Sequence, residues 1–260
     1  MLTQEPDLFV INGARENLPL LVFLPGMDGS VLSLRKQLNG LNNRFEVRCF
    51  CIPSDDVTDW TGLAAQLIEP VTAAKTARPE RPIYLCGESF GACLALQAVS
   101  DACHLFDRLI LINPASSFRY QLWSPLGAML VRWMPDSAYP FSAFGLLPFL
   151  ISMTRVTWAD QQALVQAMQK VTPETAAWRI SLLNKFQLNE AALRRFSQPV
   201  LLVASAADQL LPSVAEVKKL ATFLSHATTV ILEHSGHACL LEAEINLGQL
   251  LEHHLAMAAV

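Results

Sequence analysis

Residues 83–98 read IYLCGESFGACLALQA, and within them Gly87-Glu88-Ser89-Phe90-Gly91 forms a G-x-S-x-G pattern. Alone the pattern is weak. Its setting gives it weight, because a β-rich run stops directly before it and a helix-length run starts directly after it, the context of a nucleophile elbow. A serine on so sharp a strand-to-helix turn is held in strained dihedrals, and side chains at the flanking glycines would clash with the turn or the adjacent strand. The helix N-terminus adds backbone donors and a partial positive charge where an oxyanion would develop. The chemistry implied is attack by Ser89 on an acyl carbonyl. The competing reading is an ordinary turn in which Ser89 only caps the helix.

A serine hydroxyl is a poor nucleophile until a base removes its proton, and the base needs an orienting partner. Where the serine sits on such an elbow, the chain order is serine, then acid, then histidine. After the apolar run PVLLVA (199–204) comes SAADQLLPS, with Asp208 in the loop leaving the strand. After the run at 228–232 comes EHSGHACLLE, with His237 following Gly236. Asp208 and His237 are thus the candidate acid and base. The strand before Asp208's ends in Asn113-Pro114-Ala115 and offers no carboxylate, while Asp101 and Asp107 fall at the opposite edge and read as solvated. His234 lies closer to its strand and reads as structural or surface; His226, His253 and His254 sit at helix ends or near the terminus, where solvation is the default.

The first clear strand runs into LPGMDGS. One oxyanion donor in an elbow enzyme is the N–H after the nucleophile, here Phe90, and the second comes from the loop after this early strand. Met27 is the candidate, through its backbone N–H. Gly26 and Gly29 would let the backbone approach a substrate. Asp28 reads either as a turn residue bonding its own loop or as a group that positions an acceptor hydroxyl, and it stays outside the catalytic set.

These residues need a scaffold that brings them to one rim. Short β-rich runs alternate with helix-length amphipathic runs, which predicts an α/β fold with a mostly parallel sheet and helices on both faces. The predicted strands are 20–24, 45–51, 83–86, 109–112, 200–204 and 228–232, mostly continuous apolar runs as expected when both faces are covered. The predicted helices are 60–77, 90–102, 214–225 and 238–257. Between Ser116 and about Ser197 the alternation stops. That segment holds Trp123, Trp133, Trp158 and Trp178 and reads as several helices without a strand. The 260 residues therefore suit a single domain with its core in 1–115 and 198–260 and an inserted helical cap over about 116–197.

Composition narrows the partners. A formal charge of −4 and the lack of any Lys/Arg block argue against nucleic acid. The start MLTQEPDLFVING shows no readable secretory signal. Cys49, Cys51, Cys86, Cys93, Cys103 and Cys239 lie mostly in apolar runs without metal-ligand spacing, which predicts reduced thiols in a cytoplasmic setting and no metal. No organic cofactor is suggested either. From Ser137 to Thr154 there is no charge, but Pro140, Gly145 and Pro148 interrupt the stretch. A spanning helix is not expected; a greasy lid, or a surface in transient contact with a membrane, stays open.

LPGMDGS, FEVRCFCIP, RPIYLCGESFGACLAL, LILINPASSF and the Asp208 and His237 segments together resemble the esterase/lipase/thioesterase group of α/β hydrolases that includes the plastid phytyl ester synthases. The resemblance covers most of 18–118 and is weaker around 199–242. It implies an α/β-hydrolase fold, fatty-acyl transfer from an acyl ester or thioester onto a lipophilic alcohol such as phytol or diacylglycerol, and a photosynthetic source. The acyltransferase-like H-x4-D motif of the plant proteins is not found in this chain, since none of its six histidines has an aspartate five positions on. The residues themselves leave water or an alcohol open as acceptor. They also leave open a serine hydrolase of another small ester or carbon–carbon bond, and a catalytically silent binding protein. Oligomeric state is not legible.

Overall fold

A computed structural model describes residues 7–15, 17–121 and 139–255. Trp123, Trp133, Ser137 and Met257, which figured in the reading above, lie outside the described residues. The strands are β1 (Asp7–Val10), β2 (Leu20–Leu24), β3 (Glu46–Cys51), β4 (Ile83–Glu88), β5 (Arg108–Ile112), β6 (Val200–Ser205) and β7 (Ala227–Leu232). They form one sheet in the order β1-β3-β2-β4-β5-β6-β7. The edge strand β1 is antiparallel to β3, and every other pairing is parallel. The helices are α1 (Leu32–Leu41), α2 (Trp60–Ala77), α3 (Phe90–Ala102), α4 (Tyr139–Leu150), α5 (Trp158–Lys170), α6 (Pro173–Lys185), α7 (Glu190–Arg195), α8 (Ser213–Ala221) and α9 (Leu247–Leu255).

The apolar strands alternate between two cores. In β2, Leu20, Val22 and Leu24 face the side covered by α2, α3 and α8, with Leu63, Leu67, Leu94, Val99, Val217 and Leu220. Leu21 and Phe23 face the other side, with Leu34 and Leu41 of α1 and Leu247 and Leu251 of α9. Burial on both faces is why these strands read as unbroken apolar runs rather than as alternation.

Between β5 and β6 the described residues form α4–α7 and no strand. Their starts are capped by local chemistry: the Thr157, Thr172 and Asn189 side chains accept from backbone N–H groups of α5, α6 and α7. Ile180, Leu182, Leu183 and Phe186 of the α6 region join the main core. Ala143, Leu147 and Ile151 pack instead with Leu164, Val165 and Leu241 in a separate cluster. The opposite face of α4 leaves Phe141, Phe144, Leu146 and Phe149 exposed.

Two expectations need correction. The helix expected over 238–257 is broken: a short 3-10 turn covers Cys239–Leu241, and α9 starts only after Asn246, whose side chain accepts from the Gln249 N–H. Glu242, which would have continued a helix, is instead drawn inward to the Ser235 and Gly236 donors. Asp107 is not a merely solvated carboxylate. It accepts from the Ile83 N–H at 2.8 Å and pairs with Lys75 at 3.0 Å, joining β4's start to α2.

The elbow glycines are fixed by backbone proximity. A Cβ on Gly91 would stand 2.1 Å from the Leu24 carbonyl oxygen, and one on Gly87 would stand 2.4 Å from that of Gly91. These contacts are with backbone and cannot yield cheaply. Gly91→Ala is accordingly expected to destabilise the fold by about 3 kcal/mol. Gly145→Ala, in α4 with nothing within 4 Å of the new methyl, should stabilise by about 0.5–1 kcal/mol. Urea unfolding midpoints of the two variants check both signs.

Candidate active site

β4 ends at Glu88 and α3 begins at Phe90, so the whole turn falls on Ser89, at φ 53° and ψ −111°. For a non-glycine residue this is a strained backbone. It is held from both sides: the Ser89 N–H donates to the Ile112 carbonyl at 2.9 Å, and its own carbonyl accepts from Ala92 at 3.1 Å and Ala115 at 3.3 Å. The result aims Oγ out of the sheet's carboxyl edge.

Asp208 lies after β6 and His237 after β7, and the two meet at Ser89. The imidazole Nε2 is 2.8 Å from Ser89 Oγ, and Nδ1 is 2.7 Å from Asp208 Oδ2. The other Asp208 oxygen accepts from the Leu210 N–H at 2.8 Å and the Leu211 N–H at 2.9 Å, while Oδ2 also accepts from the Ser213 hydroxyl. Burial opposes the carboxylate's charge, yet the His237 charge and these donors prevail and hold its pKa below the ordinary value. His237 is buried, which by itself would lower its pKa. The Asp208 charge and hydrogen bond, with a further contribution from Glu88, leave it raised above 6.5.

The histidine's backbone is held as firmly as its ring. Asn113, buried and at φ 44°, donates to the His237 carbonyl at 2.6 Å and accepts from the Ser205 N–H at 2.7 Å. Glu242 accepts from the Gly236 N–H at 2.8 Å and from the Ser235 hydroxyl at 2.9 Å, and is paired with Arg155 at 2.7 Å. Ala238 donates to the Leu150 carbonyl at the end of α4, 2.7 Å away. His234, the neighbouring rival, is exposed.

The Met27 loop adjoins the elbow: a Cβ on Gly26 would stand 4.0 Å from the Ser89 Cβ. Among the described residues neither the Met27 N–H nor the Phe90 N–H donates to a protein acceptor. Asp28 bonds within its own loop, accepting from the Ser30 N–H at 3.3 Å and from the Ser30 hydroxyl, and burial raises its pKa. These are the bonds that the turn reading expects.

Sequence reasoning gave no role to Glu88. Its side chain is buried under the elbow, where one oxygen accepts from the Ser33 hydroxyl at 2.6 Å and the other has no partner among the described residues. Burial pushes its pKa up to about 7, against the pull of the Ser33 bond and the His237 charge. Asn113 read only as a turn residue, and Glu242 and Ser213 carried no signal at all; their parts depend on which loops meet.

Aromatic rings lie against the elbow. Phe90 stacks on Trp60 with centroids 4.5 Å apart, and Trp60 meets the edge of Phe186 at 5.4 Å. Among the described residues no group of three or more His, Cys, Asp or Glu side chains is placed to hold a metal ion. No helix among them is long and apolar enough to cross a membrane. The arrangement can move a proton from a hydroxyl to an imidazole backed by a carboxylate, beside two N–H groups without an acceptor among the described residues.

Comparison with known proteins gives the chain's relatives. Residues 21–245 match the α/β hydrolase family. Phytyl ester synthase 1, chloroplastic, of Arabidopsis thaliana is 31% identical over 255 residues, covering 89% of this chain and 36% of that protein. The chain thus spans about a third of that relative's length. Among solved structures, MenH from S. aureus superposes with a TM-score of 0.79 at 15% identity, covering 98% of this chain and 99% of the other. A thermophilic esterase from Thermogutta terrifontis gives 0.76 at 18% identity, covering 97% and 94%. At such identities these structures speak to the fold.

The raised histidine pKa sets a pH dependence. Only neutral imidazole can accept the Ser89 proton, so labelling of Ser89 by a fluorophosphonate should fall as pH drops through a value above 6.5. An ionised Glu88 favours the imidazolium, so Glu88→Gln should move this limb to lower pH while leaving the plateau rate within several-fold of wild type. Asp208→Asn should lower the plateau about 10⁴-fold by misorienting the ring. Labelling rates measured from pH 5 to 9 check all three.

Proposed function

Because the chain belongs to the α/β hydrolase family, we propose that it is a serine-dependent acyl-transfer enzyme with Ser89 as nucleophile, His237 as general base and Asp208 as orienting acid. The observation that carries this reading is the continuous hydrogen-bonded line from Asp208 through His237 to Ser89, at 2.7 and 2.8 Å. Ser89 Oγ attacks the carbonyl carbon of an acyl ester or thioester as its proton passes to His237 Nε2. The carbonyl electron pair becomes the oxyanion, received by the Met27 and Phe90 N–H groups. The oxyanion collapses, the alcohol or thiol leaves with the proton from His237, and an acyl-enzyme remains. An acceptor hydroxyl then gives its proton to His237 and attacks the acyl carbon; collapse returns a proton to Ser89 Oγ.

Water as acceptor yields an acid, and a lipophilic alcohol yields a new ester. The described residues of 116–197 serve in this reading as a cap over the site. In the same reading the acyl chain is long and apolar, and a dry site would retain it while disfavouring water. The plant relative's name, phytyl ester synthase, points the same way for the acceptor, with diacylglycerol a further lipophilic alcohol in this reading. The exposed Phe141, Phe144, Leu146 and Phe149 further support a peripheral approach to lipid, since large contiguous apolar patches mark interaction surfaces.

The deciding experiment supplies a medium-chain acyl thioester with and without phytol or diacylglycerol and quantifies free acid against ester. Ester formation that depends on the alcohol is expected, and free acid alone in every case removes the transferase reading. Ser89→Ala should lower turnover about 10⁶-fold. A fluorophosphonate adduct, located by peptide mass, is expected on Ser89; wild-type turnover in the alanine variant, or an adduct elsewhere, would overturn the assignment.

A further inference from the structure

Arg179 is the largest fully buried side chain among the described residues, 2% exposed, on α6 of the segment between β5 and β6. Among those residues it has no carboxylate partner within ion-pair distance. Its guanidinium instead donates from Nη1 to the Met27 carbonyl and from Nη2 to the Pro53 carbonyl, each at 2.6 Å. Burial without a bonded counter-ion disfavours its charge, and the charges of Asp56, Asp28 and Asp55 offset this only in part. A methionine of similar reach would pack there without desolvating a cation. What the guanidinium supplies, and an apolar side chain cannot, is a rigid fork joining two carbonyls on separate loops.

One of those loops is the candidate oxyanion loop. Gly26 and Gly29 flank Met27 closely, and Gly29 sits at φ 70°, a backbone region that glycine enters freely. The Gly29 N–H bonds the Gly26 carbonyl at 3.0 Å, and the Ile52 N–H bonds the Gly29 carbonyl at 3.1 Å. Neither contact holds the Met27 carbonyl. Arg179 does. The Met27 N–H shares its peptide plane with the Gly26 carbonyl, so Gly29 holds that plane on one side, and fixing the Met27 carbonyl limits rotation about Met27 from the other.

We propose that Arg179 is a positioning residue for acyl transfer: from α6 it clamps the Met27 and Pro53 carbonyls and so holds the Met27 N–H in line with that of Phe90. The inference rests on the reading of Met27 and Phe90 as oxyanion donors. It also makes the inserted segment part of the catalytic apparatus rather than only a cover for substrate.

The test compares wild type, Arg179→Met and Arg179→Lys on a p-nitrophenyl ester, with affinity for an alkyl boronic acid as a second readout. The boronate forms a tetrahedral serine adduct that needs the oxyanion donors, whereas KM also reflects acyl contacts. Arg179→Met is expected to lose about 100-fold in kcat, the cost of a misplacement near 1 Å, with a parallel loss of boronate affinity and KM within threefold. Arg179→Lys, able to reach one carbonyl, should fall in between, and guanidinium chloride at ~50 mM should restore part of the Arg179→Met rate where sodium chloride does not. Equal loss in kcat/KM through KM alone, or boronate affinity within twofold of wild type in a folded variant, overturns the proposal. Should Arg179→Met not fold, folded Arg179→Lys with wild-type kcat and boronate affinity overturns it. If wild type itself forms no boronate or fluorophosphonate adduct at Ser89, the underlying acyl-transfer reading fails instead.

Discussion

The backbone of Ser89 is where the structure concentrates its strain, and the surrounding packing exists in a form that tolerates it. A non-glycine residue at φ 53° and ψ −111° costs about 1–3 kcal/mol, and nothing within the tripeptide offsets this. The compensation is tertiary. β5 takes the Ser89 N–H at Ile112, α3 and the Ala115 N–H take its carbonyl, and Phe90 is buried and stacked on Trp60. Gly91 lets α3 press onto the Leu24–Pro25 backbone, and Gly87 lets it press onto β4, at distances no side chain permits. The elbow is therefore less a local motif than a meeting of three strands and a helix.

From that fixed point the remaining groups are placed by polar contacts that cross between loops. Asp208 keeps its charge in a buried setting because its four donors come from His237, Ser213 and the Leu210 and Leu211 amides. Asn113, at the end of β5, ties β6 to the histidine loop with one side chain. Glu242 secures the same loop from the opposite side. Each of these is a buried polar group fully or largely satisfied, the condition under which such networks rigidify rather than weaken a core. Glu88 is the exception, with one oxygen that has no partner among the described residues and a pKa pushed up to about 7 by burial.

How much of this was legible in the chain follows from where each signal resides. β2, β4, β5 and β6 are buried on both faces, so their sequences are continuous apolar runs with turn residues behind them, and their positions could be read directly. α2 and α3 were legible to the residue. β1 was not: it has four residues, mostly exposed, and owes its conformation to pairing with β3. α1 was hidden by Asn39-Gly40, a poor helical pair. Its glycine is explained by the residue before α9, since a Cβ on Gly40 would stand 2.4 Å from Asn246 Oδ1. The Ser89, Asp208 and His237 trio showed itself because each follows a strand in an order with chemical meaning. Arg179, Asn113 and Glu242 gave no sign because their roles arise only from the approach of distant segments.

The seam between α4 and the histidine loop has a consequence for recombination. Gly236 lies so close to Ile151 and Ser152 that a methyl there would stand 2.7 Å from the Ser152 nitrogen, and the Leu150 carbonyl is bonded to Ala238. A segment grafted from another member of the superfamily between β5 and β6 would inherit the lock without the key. It would keep the imidazole in register only if the incoming chain presents a carbonyl at that height and bare backbone opposite the glycine. Chimeras that exchange substrate preference along this boundary must therefore carry residues 234–242 with the donor helices, so that the two halves of the seam travel as one module.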